Sequence, residues 1–277
     1  MKCAWNELLS ILPPRIRTEV DRLGRETLQE IRLRKGKSAL LIMHDRIVEL
    51  SNIVDQEIFR FVLNSACRYS PWTASTMAQG FITAQGGHRI GLCGEAIVRE
   101  GNIQGINVIT SMSIRVARDF PGISSNLRLR KENILILGPP GSGKTTMLRD
   151  LIRRYSEKDN VAVVDERSEI FPPSACFNIG KNTDILVGCN KIHGIDMVLR
   201  TMTPSLIAVD EITAEEDCSA LIKAGWCGVS LIATAHAASV SDLLNRPVYK
   251  SIIDSKLFDT VLVIRPNKTW FTERINV

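Results

Sequence analysis

NILILGPPGSGKTTMLRDLIRRY, residues 133–155, runs from five mostly apolar residues through a glycine-rich turn into a stretch with helical spacing. Gly138, Pro139, Pro140, Gly141, Ser142, Gly143, Lys144 and Thr145 fit the pattern G-x-x-x-x-G-K-[ST], directly after a strand and before the helical stretch TTMLRDLIRRY, and together with Thr146 they are the expected nucleotide-binding residues. The spacing has a physical cause. Gly141 and Gly143 let backbone N–H groups turn inward around a β-phosphate, Lys144 neutralises β- and γ-oxygens, and the Thr145 hydroxyl is placed to ligate Mg²⁺. The stretch is therefore read as a phosphate-binding loop.

Outward from it, VAVVD (161–165), LIAVD (206–210), SLIAT (230–234) and TVLVI (260–264) are continuous apolar runs rich in Val, Ile and Leu, separated by helical segments. Such runs suit strands buried on both faces of a parallel sheet. LIAVDEI ends in Asp210, placed to support the metal, and Glu211, placed to orient or deprotonate an attacking water. VAVVDERSEI ends in Asp165, Glu166 and Glu169, and GVSLIATAH ends in Thr234 and His236, an imidazole able to sense a γ-phosphate by gaining or losing a hydrogen bond.

The first 118 residues have a different rhythm. Helical pieces reach about Leu23, and LQEIRLR (28–34) and SALLIMHDRIVEL (38–50) read as two or three strands broken at Gly36 and His44-Asp45. Residues 55–68 set Ile58, Phe59, Val62, Leu63 and Ala66 on one helical face with Asp55 as N-cap, and short β-like runs separated by glycine fill 80–118. DFPGISSN (119–126) is the expected connection. The expected architecture is a P-loop NTPase domain over 127–277, α/β with a RecA-like parallel sheet, preceded by a smaller α+β domain over 1–118.

The 277 residues include 35 Lys and Arg against 30 Asp and Glu. Residues 1–118 hold 16 basic residues, 13 of them Arg, against 11 acids. That imbalance puts the excess charge in the first domain, where an arginine-rich surface suits phosphates or another anionic partner. Seven scattered cysteines without a C-x-x-C pair argue against a zinc cluster or disulfide framework and for a reducing cytosol. No apolar stretch reaches spanning length, so any membrane role is expected to be peripheral.

In order, Gly138–Thr145, Asp165-Glu166 with Glu169, Leu206–Ile212 and Gly228–His236 resemble the four boxes of the secretion ATPase superfamily: Walker A, aspartate, Walker B and histidine boxes. Departures include Asp210 in place of a usual glycine, Arg167 in place of a usual proline, the order Asp-Glu in place of Glu-Asp, and the missing tetracysteine module. They mark a side branch. EIRLR (30–34), FITAQGGHRIGLCGEA (81–96), ITSMSIRVARDFPGI (109–123) and VVDERSEI make the chain closely similar to the stage III sporulation branch of endospore-forming bacteria.

The resemblance implies a homohexameric, Mg²⁺-dependent ATPase in the mother-cell cytosol, peripheral to a membrane and working with membrane-embedded subunits of a sporulation channel complex. It implies that Asp165, Glu166, Glu211 and His236 act in catalysis, with Arg200 just before Walker B and with Arg89, Arg115 and Arg118 as candidate arginine fingers. ATP is favoured over GTP because neither Asn-Lys pair continues as N-K-x-D: Asn190-Lys191 is followed by Ile-His and Asn267-Lys268 by Thr-Trp. Nucleic acid is not an expected partner. The rival reading, a nucleic-acid-stimulated ATPase like the plastid and cyanobacterial relatives, requires stimulation by nucleic acid and a steep salt dependence.

Overall fold

The computed structural model describes residues 3–67, 80–128, 130–172, 175 and 177–274. It divides into two compact units, Met1–Asp119 with Pro172–Cys176, and Phe120–Phe171 with Phe177–Val277.

In the first unit, helices α1 (Trp5–Ser10), α2 (Pro14–Gly24) and α3 (Gln56–Cys67) accompany a six-stranded sheet. Its strands are β1 (Leu28–Arg34), β2 (Ser38–Met43), β3 (Ile47–Ile53), β4 (Phe81–Thr83), β5 (Arg89–Arg99) and β6 (Asn102–Arg115), in the order β3-β2-β1-β6-β5-β4. All pairings are antiparallel. The hydrophobic alternation of β1, with Ile31 and Leu33 buried and Arg32 and Arg34 exposed, turns one face onto a core that includes Leu8, Ile16 and Phe59. Asp55 accepts a bond from the Ile58 N–H at 2.9 Å, the capping expected of it. Residues 80–118 were expected as short runs separated by glycine, yet β6 is one strand of 14 residues that runs through Gly105, because β-bulges absorb the irregular spacing in its hairpin with β5. The C-terminal end of the expected helix, Arg68, lies outside the described residues.

The second unit is a seven-stranded sheet in the order β13-β12-β7-β11-β10-β8-β9. β7 (Ile134–Leu137), β8 (Val161–Asp165), β9 (Thr183–Val187), β10 (Leu206–Val209), β11 (Ser230–Ala235) and β12 (Thr260–Ile264) are parallel, and only β13 (Trp270–Arg274) runs antiparallel, against β12. Apolar residues fill both faces. One face carries helices α5 (Lys191–Thr201) and α6 (Glu215–Trp226) with the short α7 (Val240–Leu244) and α8 (Lys250–Asp254), and the other carries α4 (Lys144–Tyr155). The five expected strands are all present, and β9 and β13 extend the two edges. The sheet order sets β7, β11, β10 and β8 side by side, so four motifs far apart in sequence leave the sheet at adjacent carboxyl ends.

The expected connection, residues 119–126, is bonded into the second unit from Phe120 onward. Asp150 of α4 accepts bonds from the Gly122 N–H, the Ser124 N–H and the Ser124 hydroxyl. Pro172–Cys176 is the other difference from a single boundary, because it returns to the first unit. A Cβ built on Gly87 would lie 2.7 Å from the Cβ of Ala175 and 3.0 Å from that of Pro172, so glycine at 87 admits the close approach.

A candidate nucleotide site at four strand ends

Gly143 takes φ 106° as the N-cap of α4, a left-handed conformation that glycine adopts without strain. A Cβ on Gly138 would collide with the Ser142 hydroxyl and stand 2.8 Å from the Ile264 carbonyl. The loop thus closes tightly at its base. Lys144 is 5% exposed, and its ammonium donates to the carbonyls of Gly138 at 2.8 Å and Pro139 at 3.1 Å and to His236 Nδ1 at 3.0 Å. Burial pushes its pKa down, opposed by the charges of Asp210 and Glu211.

An ammonium can only donate, so Nδ1 of His236 carries the lone pair. Nε2 then carries the hydrogen and donates it to Glu211 Oε1 at 2.9 Å. Glu211 Oε2 accepts from Arg167 at 2.9 Å. Burial alone would raise the Glu211 pKa, but the His236 hydrogen bond and the neighbouring charges of Arg167 and Lys144 outweigh it and hold the carboxyl below its ordinary value. Glu211 also adopts φ 49°, an uncommon conformation for a residue with a side chain, and its N–H donates to Thr234 Oγ1 at 2.8 Å.

Asp210 gathers two hydroxyls. Thr145 Oγ1 donates to its Oδ2 at 2.7 Å and Thr234 Oγ1 donates to its Oδ1. This oxygen-only pairing of Thr145 with a carboxylate suits the water shell of a hard divalent cation. Ser142 Oγ is buried at the base of the loop, against the Gly138 backbone, without a hydrogen-bond partner among the described residues. The donor set present therefore fits a Mg²⁺-nucleotide.

Asp165 is 2% exposed, and its carboxylate accepts from the N–H groups of Glu169 at 2.8 Å, Ile170 at 2.9 Å and Phe171 at 3.0 Å. Burial, with a contribution from the Asp210 charge, pushes its pKa up to about 6 against those bonds. Asp165 shapes the loop after β8. Glu166 stands half-exposed, 2.6 Å from the ammonium of Lys191, and Arg167 reaches across to Glu211 as described. A cleft between the β8 and β10 loops has Glu166, Lys191, Asp210 and Glu211 among its walls.

The arginines separate into distinct settings. Arg200 is exposed on α5 and pairs with Asp196 at 2.9 Å, one helical turn earlier on its own helix, rather than with a residue of the strand-end cluster. In the first unit, Arg89 and Arg115 stand directly opposite one another on β5 and β6, and Arg115 also faces Glu30 on β1. They share the sheet face turned away from the buried Ile31, Ile90 and Ile114. The Arg89 guanidinium stacks 4.1 Å from the Phe81 ring centroid. Arg118 donates to the carbonyls of Leu28 at 3.1 Å, Gly24 at 3.3 Å and Arg25 at 2.9 Å, which ties the end of α2 to β1.

Lys191 and Arg167 were not singled out as site residues by sequence. A lysine at the first position of a helix stands against the helix dipole and was a usable signal for Lys191. Arg167 showed itself only as a departure from the aspartate-box pattern.

The family model described as Sporulation stage III, protein AA matches residues 4–272. The stage III sporulation protein AA of Bacillus subtilis (strain 168) is 36% identical over 278 residues, covering 93% of this chain and 90% of that protein. Among solved structures, the Legionella pneumophila ATPase DotB superposes with a TM-score of 0.59 at 18% identity, covering 89% of this chain and 76% of the other. The pilus retraction motor PilT with bound ADP superposes with a TM-score of 0.61 at 15% identity, covering 90% and 76%. These likenesses bear on the fold, which is the P-loop fold of the secretion ATPases, as the order of the four boxes implied. Agreement along nearly the whole sequence bears on descent, and by it the chain belongs to the sporulation stage III protein AA family.

Proposed function

We propose that the chain hydrolyses ATP with Mg²⁺ and works as a secretion-type motor, a homohexamer at the cytosolic face of a mother-cell membrane that energises a sporulation channel complex. The observation that carries the reading is the unbroken series of contacts from Thr145 through Asp210 and Thr234 to Glu211, and back through His236 to Lys144. It joins the phosphate loop to the ends of β10 and β11, the strands where a P-loop hydrolase needs its metal support and its base.

In this mechanism the inward N–H groups of 138–145 cradle the phosphates, and Lys144 exchanges loop carbonyls for phosphate oxygens. Thr145 and Asp210 would hold the cation, which would supply Lewis-acid shielding of the phosphate charge. Glu211, kept ionised by its neighbours and aimed by His236 and Arg167, accepts the proton of the attacking water. Arg89 and Arg115 are the preferred fingers for transition-state charge, since they are paired in register on one sheet face, while Arg118 is committed to backbone carbonyls.

Family membership supports the sporulation setting. No helix among the described residues is long and apolar enough to cross a membrane, which suits a peripheral subunit. The test is ATP hydrolysis by wild type beside Lys144→Ala, with and without single-stranded nucleic acid, with the mass of the assembly measured in each condition. Lys144-dependent turnover in a hexamer, indifferent to nucleic acid, is the expected result. A nucleotide-saturated monomer counts against the motor, and strong stimulation by nucleic acid transfers the assignment to a nucleic-acid ATPase.

A further inference from the structure

Lys191 is a buried ammonium to which the mechanism above gives no part. It is the first residue of α5, where the helix dipole disfavours a cation, and it is 4% exposed, where an unpaired ammonium would be strongly destabilising. Two carboxylates account for it, Glu166 at 2.6 Å and Asp217 at 3.7 Å.

These acids belong to different loops. Glu166 follows β8 directly. Asp217 closes the segment that begins with Asp210-Glu211, because its Oδ2 accepts from the Thr213 N–H at 2.9 Å and the Ala214 N–H at 3.3 Å at the start of α6. Lys191 thus bridges the two loops between which the cleft lies. The Glu166 side chain keeps 38% exposure, so without this partner it would be free to swing into solvent.

We infer that Lys191 is a positioning residue for hydrolysis: it pins the Glu166 carboxylate in the wall of the cleft that Glu211 shares, where Glu166 accepts hydrogen bonds from the water that Glu211 activates. The role rests on the ATPase reading of the site. Binding of nucleotide is assigned to the phosphate loop and owes nothing to Lys191, so loss of the pin acts on kcat and leaves KM and nucleotide affinity alone.

The experiment is a double-mutant cycle read by steady-state ATP hydrolysis, with the affinity of a fluorescent ATP analogue measured in parallel. Lys191→Met is expected to lower kcat by roughly 10- to 100-fold with analogue affinity within about twofold of wild type. Glu166→Gln should cost a similar factor, and the double variant should be no slower than the worse single one, since both changes break one unit. If Lys191→Met does not fold, Lys191→Gln keeps an uncharged N–H donor, and the cycle is run with it. A Lys191 variant with wild-type kcat, or single effects that multiply in the double variant, overturns the role. Wild-type turnover that survives Lys144→Ala overturns the ATPase reading and this role together, whereas Lys144-dependent turnover untouched by Lys191→Met overturns the role alone.

Discussion

Lys144 Nζ lies 3.0 Å from Nδ1 of His236, a residue 92 positions later in the chain. The phosphate-loop lysine is thereby held at the carboxyl end of a neighbouring strand, and an arriving phosphate must compete with an imidazole and two carbonyls. Lys144→Ala is expected to reduce nucleotide affinity by about 10- to 100-fold, the worth of a charged hydrogen bond, and to take turnover to background. His236→Ala should leave affinity within about threefold while lowering kcat, because it releases Lys144 yet unseats Glu211. Titration with a fluorescent ATP analogue and phosphate-release kinetics separate the two effects.

Glu211→Gln removes the proposed proton acceptor and keeps the shape. Turnover should fall by about 10²-fold or more while ATP still binds, so radiolabelled ATP recovered from the protein after gel filtration should be intact. ADP recovered at the wild-type rate would move the base elsewhere, with Glu166 the first residue to examine.

Asp165 should make stability pH-dependent. Its carboxyl titrates near 3.8 when unperturbed and at about 6 in the fold, so the folded chain holds this proton more tightly than the unfolded one. A raised pKa stabilises fully below about pH 4, and that contribution is lost as pH rises through 6, a difference of about 3 kcal/mol. Asp165→Asn cannot ionise, but it presents an amide to backbone donors and starts less stable in acid. Urea unfolding at pH 4.5 and at pH 7.5 should show its deficit shrinking with rising pH, and a constant deficit contradicts the assignment.

Gly138→Ala should abolish analogue binding and lower the melting temperature. The new methyl meets the Ser142 side chain and the Ile264 carbonyl, and the backbone carbonyl cannot move without disturbing β12. The predicted cost is about 1–3 kcal/mol, from overpacking.

Where one physical cause dominated, the sequence was readable. β1 and β8 fall on the expected residues because alternation and continuous apolarity had no competitor there. The helix after Asp55 was likewise announced by its cap and its apolar stripe. β9 was hidden because TDILV is an edge strand with exposed positions, and its apolar run is too short to stand out from a loop. β13 owes its existence to pairing with β12, a tertiary cause. The four strand-end motifs were legible because each follows directly on a continuous apolar run, and the sheet order brings those strand ends together. Lys191 and Arg167 were not, because an ion pair between loops depends on which strands are neighbours, and β8 adjoins β10 across forty intervening residues.

The return of Pro172–Cys176 to the first unit governs how the protein can be taken apart. A single cut after Asp119 yields two fragments, neither of them complete. The shorter lacks the segment that packs on Gly87, and the longer carries that segment with its partner gone, in the stretch that leads on from the Asp165 loop. Truncation studies that seek a freestanding hydrolase therefore need that excursion replaced by a short bridge from Phe171 to Phe177.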